Sequence, residues 1–571
     1  MGLVTIAFHV GLVFQGLVPA LVARPLHLAL ILPWVYFARP RPAGAILGAA
    51  GIGICLWIAW SHRALRDQYG FLDGPWQVAV AAVLLVVVLD AARRMIGWPL
   101  PAVAAAALAY GLLGQHVPGQ FGHAGVPVES FLGTLTIAEG GVWGSLTGVS
   151  VGVVAIFVIF GAVLNAGEAG QGFMNVAAAA AGRLRGGAAK VSVLSSALFG
   201  SISGSASANV ASTGAITLPA MTRLGYPRRR AGAVEAVASS GGQIMPPLMG
   251  AGAFVMVELT GVPYPQIMAA ALLPALLYFF AVWVGIDAYA TRHALAGVPA
   301  SERPSGRDVA VTSAFFAVPF AALLGAMFGA GVTPQLAACL AILVAAALLP
   351  FDGRRGWAPR QGASRLAAAA LGAGRQIAMI GAIIVCAGIV VGVLGITGLG
   401  IKLTSVIISG AGGALWPALL LTALACLLLG MEVPTTAAYV ICVSVAGPAL
   451  IELGLEPLRA HLFVFWFALL STITPPVCGA VFIAAGMVGE NWLRVAGSAM
   501  SLGIGLYVIP LGMVSLPALT DPGGAPAAAA LAAARMAAGL AALSFALIAR
   551  GRPVRRLLLG AFAAAAIFAP V

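Results

Sequence analysis

Charge is what this sequence has least of. Asp, Glu, Lys and Arg make up 8% of its 571 residues, against about 25% in an ordinary soluble domain. That shortage excludes a string of water-facing domains, whose surfaces would need far more polar residues. Lysine occurs only at Lys190 and Lys402. Neither neighbours a plausible nucleophile, so an intramembrane serine–lysine hydrolase is not expected. The six cysteines (Cys55, Cys339, Cys386, Cys426, Cys442 and Cys478) lie inside apolar runs and form no C-x-x-C pair. They read as small packing residues, not disulfides or metal ligands. The seven histidines show no H-E-x-x-H spacing, so a catalytic metal is not expected. No basic stretch precedes the first apolar run, so a cleaved signal peptide is not expected either.

What the chain has in abundance is apolar sequence, at 61% of residues, with nearly uncharged runs such as 78–88, 151–164 and 377–394. A hydrocarbon layer about 30 Å thick needs about 20 apolar residues per helix. Roughly sixteen such segments occur, some too short to span. The fold class is therefore an all-α polytopic membrane protein surrounded by lipid. The net charge of +13 would suggest nucleic acid on a soluble protein. Here the arginines sit in short loops between apolar runs, as the positive-inside rule expects. Aromatics do not interleave with them, so no nucleic-acid partner is expected.

Residues 1–115 hold simple apolar segments at about 3–22, 27–37, 43–60, 77–95 and 100–113. A Gly- and His-containing stretch, 116–146, reads as a linker. From 147 to 525, Gly, Ser, Thr and Pro enter the apolar segments, and 526–571 adds one or two further helices. Arg183, Arg185 and Lys190 precede segment 191–222, and Arg223, Arg228, Arg229 and Arg230 follow it. Both flanks are basic and so belong on the cytoplasmic side, which makes this segment a re-entrant hairpin of two short helices. Residues 231–260 would then cross outward and 266–290 return to Arg292, Arg303 and Arg307. Spans at 310–329 and 332–350 end at Arg354, Arg355, Arg360 and Arg365, and 376–396 crosses outward again. Residues 397–460, with only Lys402, Arg459 and three Glu, suit the outer side. Arg63 and Arg66 fit this frame less well.

Two stretches about 230 residues apart resemble each other. Residues 200–209 read GSISGSASAN and 430–439 read GMEVPTTAAY; further on, 243–251 read QIMPPLMGA and 472–480 read TITPPVCGA. Each copy has a small-residue cluster and then a Pro-Pro break. The charge frame gives the copies opposite orientations, as in transporters with inverted repeats. Expected are hairpins at about 191–222 and 412–455 and broken helices at about 231–260 and 461–488. Broken backbone cannot face lipid, so two matching breaks point to one central polar site.

The first tip offers Ser201, Ser203, Ser205, Ser207, Asn209, Ser212 and Thr213, spaced by Gly200, Gly204 and Gly214. Its partners are Ser239, Ser240, Gly241, Gly242 and Gln243 beside Pro246 and Pro247. The second copy supplies Glu432, Pro434, Thr435 and Thr436, then Ser471, Thr472 and Thr474 beside Pro475 and Pro476. Hydroxyls, amides and unwound carbonyls suit a hard cation. Helix N-termini suit an anion. Na⁺ is expected at Ser205, Asn209, Gly242, Thr435 and Thr472, and Glu432 keeps proton coupling open. For any single residue here the competing reading is close helix packing through small side chains. Glu235, five residues after Arg230, reads as a partner in an interfacial salt bridge. Asp90 and Asp287, near helix ends, read as interfacial.

At residues 199–221, 225–254, 430–440 and 471–486 the chain resembles the permeases of tripartite ATP-independent periplasmic (TRAP) transporters. It is most similar to the TAXI subgroup, whose small and large membrane subunits are fused. The resemblance covers about 120–520; residues 1–115 match the small subunit by position and hydropathy only. It implies an elevator transporter with two re-entrant hairpins and two discontinuous helices. It also implies a TAXI-type periplasmic binding protein as partner, a small organic acid as substrate, no cofactor, and an ion gradient, usually Na⁺, as energy source. The location implied is the bacterial inner membrane. No G-x-x-x-x-G-K-[ST] sequence occurs, as suits a transporter without an ATP site. One departure is Glu432-Val433-Pro434 where the first tip has Ile202-Ser203-Gly204, so the two ion sites need not be equivalent. A stand-alone carrier of the same hairpin architecture is the alternative reading.

Overall fold

The computed structural model describes residues 1–38, 42–353, 356–431, 433–548 and 553–569. Glu432, Arg354 and Arg355 lie outside the described residues. Apart from one two-stranded turn, Phe351–Asp352 with Gly356–Trp357, the described elements are helices. Among them eight are long and apolar enough to cross a bilayer, and the bent pair Trp492–Leu502 and Ile504–Ser515 makes a ninth. Eight further apolar helices are shorter. Large apolar side chains such as Leu17, Trp60, Ile401 and Leu557 point outward, an arrangement that suits lipid and not water.

Depth within the bundle follows composition. In Ser145–Ala166 and Pro359–Thr397 the apolar windows are 83% and 78% buried, against 28% in Pro42–Trp60 and 22% in Ala300–Gly329. The first two therefore form the interior wall. Pro359–Thr397 has 39 residues and so runs about 58 Å, nearly twice a hydrocarbon layer.

Against this wall pack two copies of one motif. In the first, Gly187–Ser203 and Ala206–Arg223 form a hairpin, and Arg228–Gly241 and Ala251–Thr260 are the halves of a broken helix. In the second, Leu415–Leu429 and Thr435–Glu452 pair in the same way, followed by Pro457–Leu470 and Gly479–Val488. The first tip closes at Gly204, whose φ of +59° favours glycine. Ser205 then caps the returning helix by accepting from the Ala208 N–H at 3.3 Å. At the second tip Pro434 does the same job by its fixed φ of −55°. Both breaks carry a Pro-Pro pair with a cis bond, 246–247 and 475–476. Each is tied down by a tyrosine: Tyr264 Oη donates to the Pro247 and Leu248 carbonyls at 2.7 and 2.8 Å, and Tyr507 Oη meets Thr474 Oγ1 at 2.7 Å.

Several loops read from the sequence are more structured than expected. Lys190 is not a loop residue but lies buried inside Gly187–Ser203, bonded to Asp287 at 2.7 Å and seated 5.0 Å from the Trp283 ring. Its long stem lets the ammonium reach this partner from within the helix. Residues 116–146 include the helix Val128–Thr136 and bury Phe131, Leu135 and Trp143 completely. The C-terminal segment forms two helices, Pro526–Ile548 and Pro553–Phe568.

The N-terminal helices join the wall through a buried polar chain. The Thr5 carbonyl accepts from His9 Nδ1 at 2.7 Å, His9 Nε2 accepts from His27 Nδ1 at 2.7 Å, and His27 Nε2 accepts from Ser150 Oγ at 3.0 Å. One choice of tautomers satisfies every group. His27→Leu leaves His9 Nε2 and Ser150 Oγ buried without their partner. That should destabilise the protein by about 1–3 kcal/mol, read as a lower melting temperature in detergent. An unchanged melting temperature would mean apolar packing alone holds these helices.

Candidate substrate site

The two tips and the two breaks meet around a cavity of about 330 Å³. Ser203, Ser205, Ser207, Gln243, Pro434, Thr435, Thr436 and Thr472 all line it, as the sequence predicts. Apolar walls come from Phe157, Phe254, Met379 and Ile383. No Asp, Glu, Lys, Arg or His is among the described lining residues.

The cavity's electrostatics come instead from helix ends. Helices begin at Ala206, Ala251, Thr435 and Gly479, and all four first residues line the cavity. Each start carries unpaired N–H groups and about half a positive charge. Four such ends on one small volume can attract an anion although no described lining residue is basic. Helix C-termini reach the same volume at Ser203, Gly430 and Ser471. Carbonyls at such ends lack intrahelical partners, and their remaining lone pairs can serve as cation ligands. Ser240 Oγ and Thr472 Oγ1 bond at 2.9 Å and tie one broken helix to the other.

A second cavity, about 830 Å³, shares Ser203, Ser205, Gln376 and Met379 with the first. Ser212 lines this one. Gln376, on the long wall helix, donates from Nε2 to the Ser203 carbonyl at 3.1 Å.

Comparison with known proteins agrees with this architecture. The family model described as tripartite ATP-independent periplasmic transporter, DctM component, matches residues 83–520. The chain belongs to this family. It is thus a permease of the TRAP type, a multi-pass protein of the bacterial inner membrane and not an enzyme. It is 25% identical over 339 residues to the C4-dicarboxylate TRAP transporter large permease protein DctM of Pseudomonas aeruginosa, covering 59% of this chain and 77% of that one. To the isethionate TRAP transporter permease protein DctMQ of Oleidesulfovibrio alaskensis it is 24% identical over 454 residues, 75% of this chain and 70% of that one. It is 28% identical over 199 residues to the ectoine/5-hydroxyectoine permease protein UehC of Ruegeria pomeroyi, 34% of this chain and 45% of that one.

Other residues singled out in this TRAP permease lie behind the cavity. Asn209 is fully buried and donates from Nδ2 to the Ser196 and Ser239 carbonyls at 2.9 and 3.2 Å. Gly242 meets Gly200 so closely that a Cβ on either would stand 2.3–2.4 Å from the other's Cα. Gly241 is similarly closed off by the Tyr278 ring. Ser201 donates to the Leu198 carbonyl at 2.7 Å within its own helix. Pro246, Pro247, Thr474, Pro475 and Pro476 shape the breaks without lining the cavity. Thus Asn209 and Gly242 fasten hairpin to broken helix, while Ser205, Thr435 and Thr472 face the cavity.

Glu235 is not in an interfacial salt bridge. It is fully buried, and Ser192, Ser239, Thr213 and Thr217 all offer hydroxyls to its carboxyl group. Thr213, one of the predicted site residues, is turned toward this cluster and away from the cavity. A salt bridge seemed natural because Arg230 is five residues earlier. But Arg230 lies more than a helical turn away, bonded to Ser501 Oγ at 2.9 Å and stacked on Tyr289. The cluster joins both hairpin arms to the first broken helix. Glu235→Leu removes the shared acceptor of four hydroxyls, of which Thr213 and Thr217 keep main-chain partners, and should cost about 2 kcal/mol. Glu235→Gln keeps an acceptor and should cost less. Melting temperature in detergent checks this order; equal losses would show the carboxyl's hydrogen bonds to be dispensable.

Proposed function

We propose that this permease takes up a small organic acid, as carboxylate or sulfonate, by an ion-driven elevator motion, from a TAXI-type periplasmic binding protein. The observation that carries the reading is the convergence of four helix N-termini on a cavity with no basic side chain among its described lining residues. Such a site can hold an anion yet release it, because partial charges bind less tightly than a guanidinium pair. The named substrates of relatives, C4-dicarboxylate, isethionate and ectoine, all carry a carboxylate or sulfonate group.

The coupling ion is Na⁺, held by Ser205, Thr435 and Thr472 with carbonyls from the helix C-termini, while Asn209 and Gly242 hold the tip in shape. Protons are the alternative, through Glu432. Anion and cation together leave a nearly neutral site, which lowers the cost of moving it through hydrocarbon. The hairpins and broken helices form the moving body. The long wall helix, with residues 1–115 as a fused small-subunit equivalent, forms the scaffold. With the basic flanks of the first hairpin on the cytoplasmic side, the larger cavity opens toward the cytoplasm on this reading, and the arrangement is inward-facing.

The test is uptake of labelled succinate and isethionate into proteoliposomes, with Na⁺ or H⁺ gradients, with and without the purified binding protein. Uptake of at least one anion should need both a gradient and the binding protein. Ser205→Ala with Thr435→Val should lower it about ten-fold or more, since two charge-assisted contacts are lost, while elution in detergent is unchanged. Uptake indifferent to the double substitution would remove these residues from the site, and uptake without a binding protein would favour the stand-alone carrier.

A further inference from the structure

We propose that Arg375 forms a second anion subsite, on the scaffold side of the larger cavity, which holds the substrate between the tips and the cytoplasm. This assignment rests on the passage of an organic anion proposed above. Arg375 lies on Pro359–Thr397, sixteen residues from its start, or about 24 Å along the axis. Its side chain is exposed and lines the 830 Å³ cavity. Arg375 directly precedes the apolar run 376–396, and an ionised group at the edge of a span is stable where it faces a polar recess. Among the described residues no carboxylate answers it. Glu168 lines the same cavity, but its carboxylate is held by Arg365 at 2.8 Å and by the Gly353 N–H at 3.1 Å. The guanidinium therefore stands as an uncompensated charge in a recess whose walls focus its field.

Its neighbours make this a subsite and not a bare charge. Gln376, the next residue, touches the tip through the Ser203 carbonyl, and Asn165, Ser205 and Ser212 line the cavity with Arg375. An anion leaving the tip thus passes from helix ends to a guanidinium fork that suits a carboxylate or sulfonate. Because Arg375 belongs to the wall helix, it meets the substrate only when the tip is in this inward position. A contact made in one state only shifts the balance between states. Arg375 therefore raises anion affinity on the cytoplasmic side alone.

A cysteine at Ala208, which lines the cavity and is exposed, reads the local potential without any transport. The six native cysteines are buried. In inside-out vesicles, Ala208→Cys is labelled with a sulfonate-bearing and with a trimethylammonium-bearing methanethiosulfonate. The anionic-to-cationic rate ratio should fall about ten-fold in Arg375→Gln, fall further in Arg375→Glu, and return in Arg375→Lys. An unchanged ratio overturns the subsite while leaving the proposed transport standing. Gly372→Cys is a second reporter, with no neighbour closer than 4.0 Å to its Cβ. Silence at both cysteines in inside-out vesicles removes the open cavity and the subsite with it. In proteoliposomes, Arg375→Gln should weaken the apparent affinity for succinate or isethionate from the cytoplasmic face about ten-fold and leave the outer face unchanged. Equal weakening on both faces would sink the one-sided role.

Discussion

The backbone's need for hydrogen-bond partners governs this molecule. A bilayer supplies none, so every helix end within it must face protein, a cavity or bound solute. The chain ends helices inside the bundle at two tips and two breaks, and it does so in pairs. Each break leaves N–H groups on one side and carbonyls on the other. Gathered on one cavity, seven such ends give it both signs of partial charge. Serine and threonine side chains add reach, but the field belongs to the main chain. That explains how a cavity of about 330 Å³ is polar in function while its described lining residues carry no full charge.

Holding those ends in register takes buried polar contacts around the cavity. Asn209 clamps two carbonyls, Glu235 gathers four hydroxyls, and Gly200 and Gly242 bring two backbones into contact. Close backbone approach leaves no slack, and a low-dielectric setting raises the cost of any missing partner. The hairpin and its broken helix therefore behave as one body. By contrast, the described hydrogen bond between a wall side chain and the first tip is that of Gln376 to Ser203. Dense bonding inside the body and sparse bonding across its boundary suit a part that slides.

The architecture was legible because its main devices are visible in one dimension. A Pro-Pro pair breaks a helix wherever the chain goes, and Gly204 with Ser205 spells a turn followed by a cap. Ser203, Ser205, Thr435 and Thr472 could be picked from such local signals. What escaped was tertiary in origin. Nothing around Glu235 says that hydroxyls from two other helices will surround it, and the nearby arginines suggest a salt bridge instead. Gln376 and Arg375 sit in a long helix whose apolar pattern marks it only as a span. Their approach to a tip about 170 residues away depends on how the helices pack. Asn209 stands out by its position in the tip, yet position alone does not say that its amide will bond the Ser196 and Ser239 carbonyls.

In the proposed elevator mechanism, the division of charge between the two cavities has a logic. A full guanidinium beside the tips would hold an anion in both states and slow its release. Partial charges on the proposed moving body would give enough attraction to load, and they would travel with the substrate. A full charge on the stationary wall acts only at the end of the stroke, where it competes with the helix ends for the departing anion. A site and a receiving group that separate as the body moves outward cannot trap the substrate between them. In that proposed mechanism, net transport draws its direction from the coupling ion, whose gradient sets how often the loaded body returns empty. The wall arginine adjusts how readily cytoplasmic anion reloads it.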